Sequence, residues 1–278
     1  MGDDPKTFIE HLAELRKRII VSALTTVAGT AIGFIFRDFF FSLLMFPMRL
    51  RPSDVIATFF GTISRAAVDS PILKLFQLFF RSRTYHTENI EIFAGGPTEK
   101  FMVVFKLSFA VGVLLAAPIV LYQMWAFILP ALKHREKRHL LPLFFITLFF
   151  FFIGAVFAFL VVAPMAMPVL ASILPDIRNQ WRLENYFSFV LRMMLAFGVA
   201  FELPIVMGFV AKIGIFDAAS FKKYRRIAIV LIFIASAGLT PQDPFTMFLM
   251  AIPLMGLYEL GIRFAMAVGA QNARLLSE

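Results

Sequence analysis

Tyr186-Phe-Ser-Phe-Val-Leu-Arg-Met-Met-Leu-Ala-Phe-Gly-Val-Ala-Phe-Glu-Leu-Pro-Ile-Val-Met-Gly-Phe-Val-Ala-Lys-Ile213 is an apolar run with a single carboxylate, Glu202, in its interior. The run is long enough to cross a bilayer, which takes about 20 residues as a helix. A carboxylate at that depth is expensive and does not face lipid. Glu202 must meet a protein partner, a cavity or a proton. The stretch therefore predicts a membrane protein with a polar contact site inside the bilayer. Glu202 falls slightly inward of the midpoint. Pro204, which cannot donate a backbone hydrogen bond, is expected to bend the helix there. A bent helix would hold the acid against a polar-lined hollow reachable from lipid.

The rest of the chain agrees. Hydrophobic residues make up 60% of the 278, mean hydropathy is +0.81 and there are 36 Phe, more apolar surface than a soluble domain needs. Cysteine is absent, which excludes disulfides, thiolate metal sites and thiol catalysis. The net charge of +9 reads as basic cytoplasmic loops and not as a nucleic-acid surface. The polar start, Met1-Gly-Asp-Asp-Pro-Lys, is not that of a cleavable signal peptide.

Six apolar segments can be drawn, at 19–46, 101–132, 140–163, 186–213, 227–239 and 245–258. Arg37 and Asp38 interrupt the first near its far end. The last two are short for a span, and Thr240-Pro-Gln-Asp-Pro244 joins them as a tight turn. They read as a short helical hairpin, either crossing a thinned bilayer or re-entrant. With six spans, Arg16-Lys-Arg18, Lys133-His-Arg-Glu-Lys-Arg138, and Lys212 with Lys222-Lys-Tyr-Arg-Arg226 share one side, which should be cytoplasmic. The expected architecture is an all-α integral membrane protein. It has six transmembrane helices in a curved bundle, short last two helices and both termini cytoplasmic. The curvature follows from prolines within the spans, Pro118, Pro130, Pro142, Pro164, Pro204 and Pro253.

Residues 47–100 form a long outer loop. Within it, Asp69-Ser70-Pro71 reads as a helix start, and the following residues up to Arg81 as a helix on the outer membrane surface. Thr98 is the expected cap of the second span. Gly29 and Gly33 have small-residue spacing, here read as ordinary helix packing. Residues 1–18 form a cytoplasmic amphipathic segment, with Phe8, Leu12, Leu15 and Ile19 at helical spacing and Glu14 and Arg18 as an i, i+4 pair.

Phe8-Ile-Glu-His-Leu-Ala-Glu-Leu-Arg-Lys-Arg18 resembles the opening of the TatC family, the multi-spanning receptors of the twin-arginine protein translocase. The resemblance continues through Ala117-Pro-Ile-Val-Leu-Tyr-Gln-Met-Trp-Ala-Phe-Ile-Leu-Pro-Ala-Leu132, Glu136-Lys-Arg138 and Ala196-Phe-Gly-Val-Ala-Phe-Glu-Leu-Pro204. It closes with Leu239-Thr-Pro-Gln-Asp-Pro-Phe245 and Ala251-Ile-Pro-Leu-Met-Gly-Leu-Tyr-Glu-Leu-Gly261. The outer loop departs from the pattern, being longer by about twenty residues.

The resemblance implies a receptor and scaffold that binds twin-arginine signal peptides at its cytoplasmic face and exports folded proteins with the proton gradient. It places signal-peptide binding at Glu14, Glu136 and Phe127, and contact with partner helices at Glu202. Asp243, in the outer turn, either satisfies turn amides or meets a partner subunit. A guanidinium fork suits a carboxylate in a way that Lys cannot reproduce. Glu136 is itself flanked by Lys133, Arg135, Lys137 and Arg138, a setting that also suits an internal ion pair. Implied partners are the signal peptides, single-span subunits of the TatA and TatB type, further copies of the chain and the lipid bilayer, with no nucleic acid. The implied location is a bacterial or archaeal cytoplasmic (inner) membrane. No catalytic residue, cofactor or metal site is expected, and the sequence has no phosphate-binding Gly-rich loop. The alternative is a proton-coupled small-molecule transporter with Glu202 as carrier, although no internal repeat supports one.

Overall fold

The computed structural model describes residues 8–49, 90–128, 140–171, 179–240 and 243–277. The surface helix expected after Pro71 and the loop holding Glu136 lie outside these residues. Five helical stretches are long and apolar enough to cross a membrane: Ile9–Ile35, Pro97–Phe127, Leu141–Met167, Leu183–Lys212 and Pro244–Gly269.

Helix α1 (Phe8–Ile35) has 28 residues and is about 42 Å long at 1.5 Å per residue. The N-terminal amphipathic segment and the first span are thus one continuous helix. The chain turns at Phe36, so that Arg37 and Asp38 open a separate helix, α2 (Arg37–Leu44), followed by a 3-10 turn at Phe46–Arg49. The buried Tyr186 hydroxyl donates to the Leu44 carbonyl at 2.6 Å and fixes the end of α2.

Helix α3 (Pro97–Ile128) starts on a proline, where a missing backbone donor does no harm. Thr98 is therefore inside the helix and is not its cap. Glu99 reaches back instead, accepting the Gly95 N–H at 2.7 Å. Pro118 lies within α3 without ending it. The third span is α4 (Leu140–Phe157), a π-helical turn at Ala158–Val162, and α5 (Ala163–Ala171). The wide turn sits just before Pro164, where a regular helix would press the proline ring on a carbonyl one turn back.

Two short strands escaped the sequence reading. β1 (Ile90–Phe93) pairs in parallel with β2 (Asn179–Arg182), with Ile90 opposite Asn179 and Phe93 opposite Arg182. β2 leads directly into α6 (Leu183–Ala200). The fourth span then breaks at Phe201 and Glu202 and resumes as α7 (Leu203–Lys212), with Pro204 its second residue. The irregularity expected from Pro204 is there as a two-residue turn, in which Phe201 and Glu202 keep right-handed helical backbone angles and the Glu202 amide donates to the Val199 carbonyl at 3.1 Å.

Helix α8 (Ala218–Lys223) is capped by Asp217, whose carboxylate accepts the Ser220 amide at 2.8 Å and the Ser220 hydroxyl at 2.6 Å. These bonds hold the Asp217 carboxyl below its ordinary range. Helix α9 (Arg225–Leu239) has 15 residues and reaches only about 22 Å, short of a hydrocarbon core near 30 Å. The final helix corrects the expectation of two short spans. α10 runs from Pro244 to Ser277, 34 residues. Tyr258 does not end it, because the charge beyond is accommodated: Arg225 pairs with Glu259 at 2.6 Å, and Arg263 is exposed.

Glycines set the closest helix contacts. A Cβ on Gly29 would lie 2.7 Å from the Gly112 carbonyl oxygen, one on Gly33 2.8 Å from that of Ser108, and one on Gly112 2.5 Å from the Thr30 amide nitrogen. α1 and α3 thus meet backbone to backbone. The largest buried cluster centres on α6, through Tyr186, Phe187, Val190, Met193 and Phe197. α10 closes on α7, where a Cβ on Gly208 would overlap the Phe264 ring and one on Gly261 would lie 3.3 Å from the Pro204 Cα.

Candidate functional site: the α1–α3 end and the break at Glu202

Helical spacing puts His11, Glu14 and Arg18 on one face of α1. That face meets the last turns of α3. The His11 ring stacks on Phe127 with centroids 4.4 Å apart and planes 14° from parallel. Arg18 donates from Nε to Glu14 Oε1 at 3.1 Å, again from Nη2 to the same oxygen, and from Nη1 to Gln123 Oε1 at 2.9 Å. Glu14 and Arg18 are partly buried, with side chains 17% and 21% exposed, so their pairing is less screened than a surface pair. Two of the three residues assigned to signal-peptide binding, Glu14 and Phe127, therefore share one small surface. The third, Glu136, lies outside the described residues.

This surface rests on a rigid base. Trp125, next to Phe127, is buried, donates its indole N–H to Thr147 at 3.2 Å and packs edge-on against Phe209 at 4.9 Å. The end of α3 is thus fixed to α4 and α7 while Phe127 remains partly exposed. Gln123 was missed by the sequence reading. A polar residue within Leu121-Tyr-Gln-Met-Trp125 gives the same signal that marked Glu202, in a weaker form.

Glu202 is 7% exposed, and its two carboxylate oxygens are covered and have no hydrogen-bond partner among the described residues. Glu202 does not open to the expected hollow among the described residues but is buried, beside the point where Gly261 on α10 approaches Pro204. A buried acid without a donor destabilises the fold. Glu202→Gln keeps the shape and carries no charge, whereas Glu202→Ala leaves a void. The Gln variant is expected to raise the thermal midpoint of the purified chain and to keep much more export than Ala. Equal export loss in both variants, measured with a folded reporter, would contradict this.

Asp243 accepts the Thr246 amide at 2.7 Å, and its other oxygen takes the Thr246 hydroxyl. It caps α10, which is the simpler of its two expected roles. At the same end as the strand pair, Glu99 accepts the Glu184 amide at 3.0 Å and Arg182 Nη2 at 3.0 Å. Lys106 donates to Glu184 at 2.6 Å and to the Ser188 hydroxyl at 3.2 Å. These links were not foreseen, since their partners lie 78 to 85 positions apart in sequence. Among the described residues no group of three or more His, Cys, Asp or Glu could hold a metal ion.

Residues 10–253 match the profile of the family described as Sec-independent protein translocase protein (TatC). The chain belongs to the TatC family. The TatC protein of Aquifex aeolicus (strain VF5) is 34% identical over 260 residues, covering 91% of this chain and 92% of that relative. That of Helicobacter pylori (strain ATCC 700392 / 26695) is 42% identical over 173 residues, 62% of this chain and 68% of the relative. Two crystal structures of a twin-arginine translocase receptor, TatC, superpose with TM-scores of 0.71 and 0.73 at 31% and 33% identity. They cover 93% and 92% of this chain and 99% of each crystallised chain. This chain is thus a component of the Sec-independent, twin-arginine protein translocase and not an enzyme. It is a multi-pass protein of the cytoplasmic membrane. Family membership sets aside the small-molecule transporter.

Proposed function

We propose that this chain is the receptor of its translocase and reads the paired arginines of cargo signal peptides where α1 meets α3. The observation that carries the proposal is the convergence of Glu14 and Phe127, with His11 stacked on Phe127 and one turn from Glu14. A carboxylate takes a guanidinium in a two-bond fork, and an aromatic edge beside it suits the apolar residues of a signal peptide. Glu136, in the stretch joining α3 to α4, supplies the second carboxylate. The basic end, bearing Arg16, Lys17, Lys212 and Lys222, is the cytoplasmic face, with both termini there and α9 as the sixth, short crossing.

Glu202 is the contact for single-span subunits of the TatA and TatB type. Such a partner, reaching the covered carboxylate as the helices around it part, would bring the donor that Glu202 lacks among the described residues. Asp243 is a lesser contact on the opposite face. The chain self-associates within the membrane, and the proton gradient drives export of the folded cargo. Purified chain should bind a twin-arginine signal peptide and lose that binding when both arginines become lysine. Equal binding of the two peptides would refute the receptor reading.

A further inference from the structure

Arg18 already occupies Glu14, the carboxylate assigned to an incoming arginine, with two donors on the same oxygen. Its remaining terminal nitrogen is held by Gln123 of α3 at 2.9 Å. We infer that Arg18 is a built-in competitor for the cargo's arginine and that Gln123 is its parking place, so that the pair sets how tightly a signal peptide binds.

The inference rests on the receptor reading of Glu14. A peptide guanidinium that takes Glu14 Oε1 must displace Arg18 from it, because one carboxylate oxygen does not accept two full forks. The displaced Arg18 remains a cation close to two half-buried helices. Gln123 lowers the cost of displacement, since one of the Arg18 bonds survives the exchange. Competition of this kind subtracts the same free energy from every ligand of Glu14. It leaves the preference for arginine over lysine unchanged and raises the threshold for binding of any kind. Weak, lysine-containing or single-arginine sequences then stay unbound at cellular concentrations, while a full twin-arginine signal clears the threshold.

Opposite signs at the two positions follow. Arg18→Gln should tighten binding of a twin-arginine peptide about three- to tenfold, the range for a partly buried pair. Gln123→Leu should weaken it, because Arg18 is then left with Glu14 alone. The double variant should behave as Arg18→Gln, since Gln123 has nothing left to hold. Arg18→Lys keeps the charge and loses the fork, and should tighten binding by a smaller factor. This last variant separates competition from simple relief of repulsion between like charges.

The experiment is a titration of labelled twin-arginine and twin-lysine peptides against the purified full chain. It uses the wild type, these four variants, Glu14→Ala and Glu14→Ala with Arg18→Gln, each checked by thermal unfolding. The inference predicts the order wild type, Arg18→Lys, Arg18→Gln in rising affinity, with the same factor for both peptides, and no effect of Arg18→Gln once Glu14 is alanine. Weaker binding by Arg18→Gln in a protein that unfolds normally would overturn it and make Arg18 a support for Glu14. Unchanged affinity in Arg18→Lys, or an Arg18→Gln effect that persists without Glu14, would also overturn it. If the wild type itself fails to prefer arginine, the receptor reading falls and this inference with it.

Discussion

Glu136→Ala is expected to weaken twin-arginine peptide binding by about 1.5–3 kcal/mol, the loss of one charge-assisted contact, which is roughly ten- to 150-fold in Kd. Glu14→Ala should act in the same direction but less, because part of its gross interaction already goes to Arg18. The folded state should survive both changes, because the buried Trp125–Thr147 bond that fixes the end of α3 is untouched. Binding measured by cross-linking or fluorescence, with thermal unfolding as a control, gives the answer. Normal peptide binding by Glu136→Ala would show that this acid merely balances Lys133, Arg135, Lys137 and Arg138, and would move recognition to Glu14 alone.

The second large effect is expected at Gly112, far from any charge. Its Cα lies so close to α1 that a Cβ would sit 2.5 Å from the Thr30 amide nitrogen and 2.8 Å from its Cα. Those are backbone atoms of a helix and cannot rotate away. Overpacking of a core costs about 1–3 kcal/mol when side chains can adjust, and Gly112→Leu should reach at least the top of that range. The two helices must then separate along their common length. That separation also pulls Arg18 from Gln123 and His11 from Phe127, at the end of the same helix pair. Gly112→Leu should therefore lower the thermal midpoint and the peptide affinity together. A variant that unfolds like the wild type would mean that α1 and α3 do not meet at this glycine.

How far sequence alone could reach is visible at particular residues. Glu202 was marked by contrast, one acid in an apolar run, and Pro204 foretold the break beside it. Glu14 and Phe127 came from resemblance, and the structure brings them to one surface through the stack of His11 on Phe127. The last helix was drawn too short because Glu259 looked like a membrane boundary. A hydropathy pattern does not reveal that Arg225, from another helix, neutralises it. The burial of Glu202 was hidden for a similar reason, since the helix packed on Pro204 beside it, through Gly261, lies some sixty positions along the chain. Glu99 was equally hidden. Its partners, Gly95, Arg182 and Glu184, include residues on a different helix and strand.

The chain enters the stretch from 50 to 89 just after α2, which Tyr186 pins by its bond to Leu44. It leaves through β1, which is locked in register with β2 and so to the start of α6. Both posts are anchored to the same helix. A change of length between these posts is expected to leave the bundle in place, since doubling a flexible loop adds only about 0.6 kcal/mol of closure entropy. The two posts thus offer a place where segments of different length are expected to be accommodated, while the α1–α3 surface at the far end of α3 stays as it is. Shortening the 50–89 stretch to a few flexible residues long enough to span the posts should leave the thermal midpoint nearly unchanged.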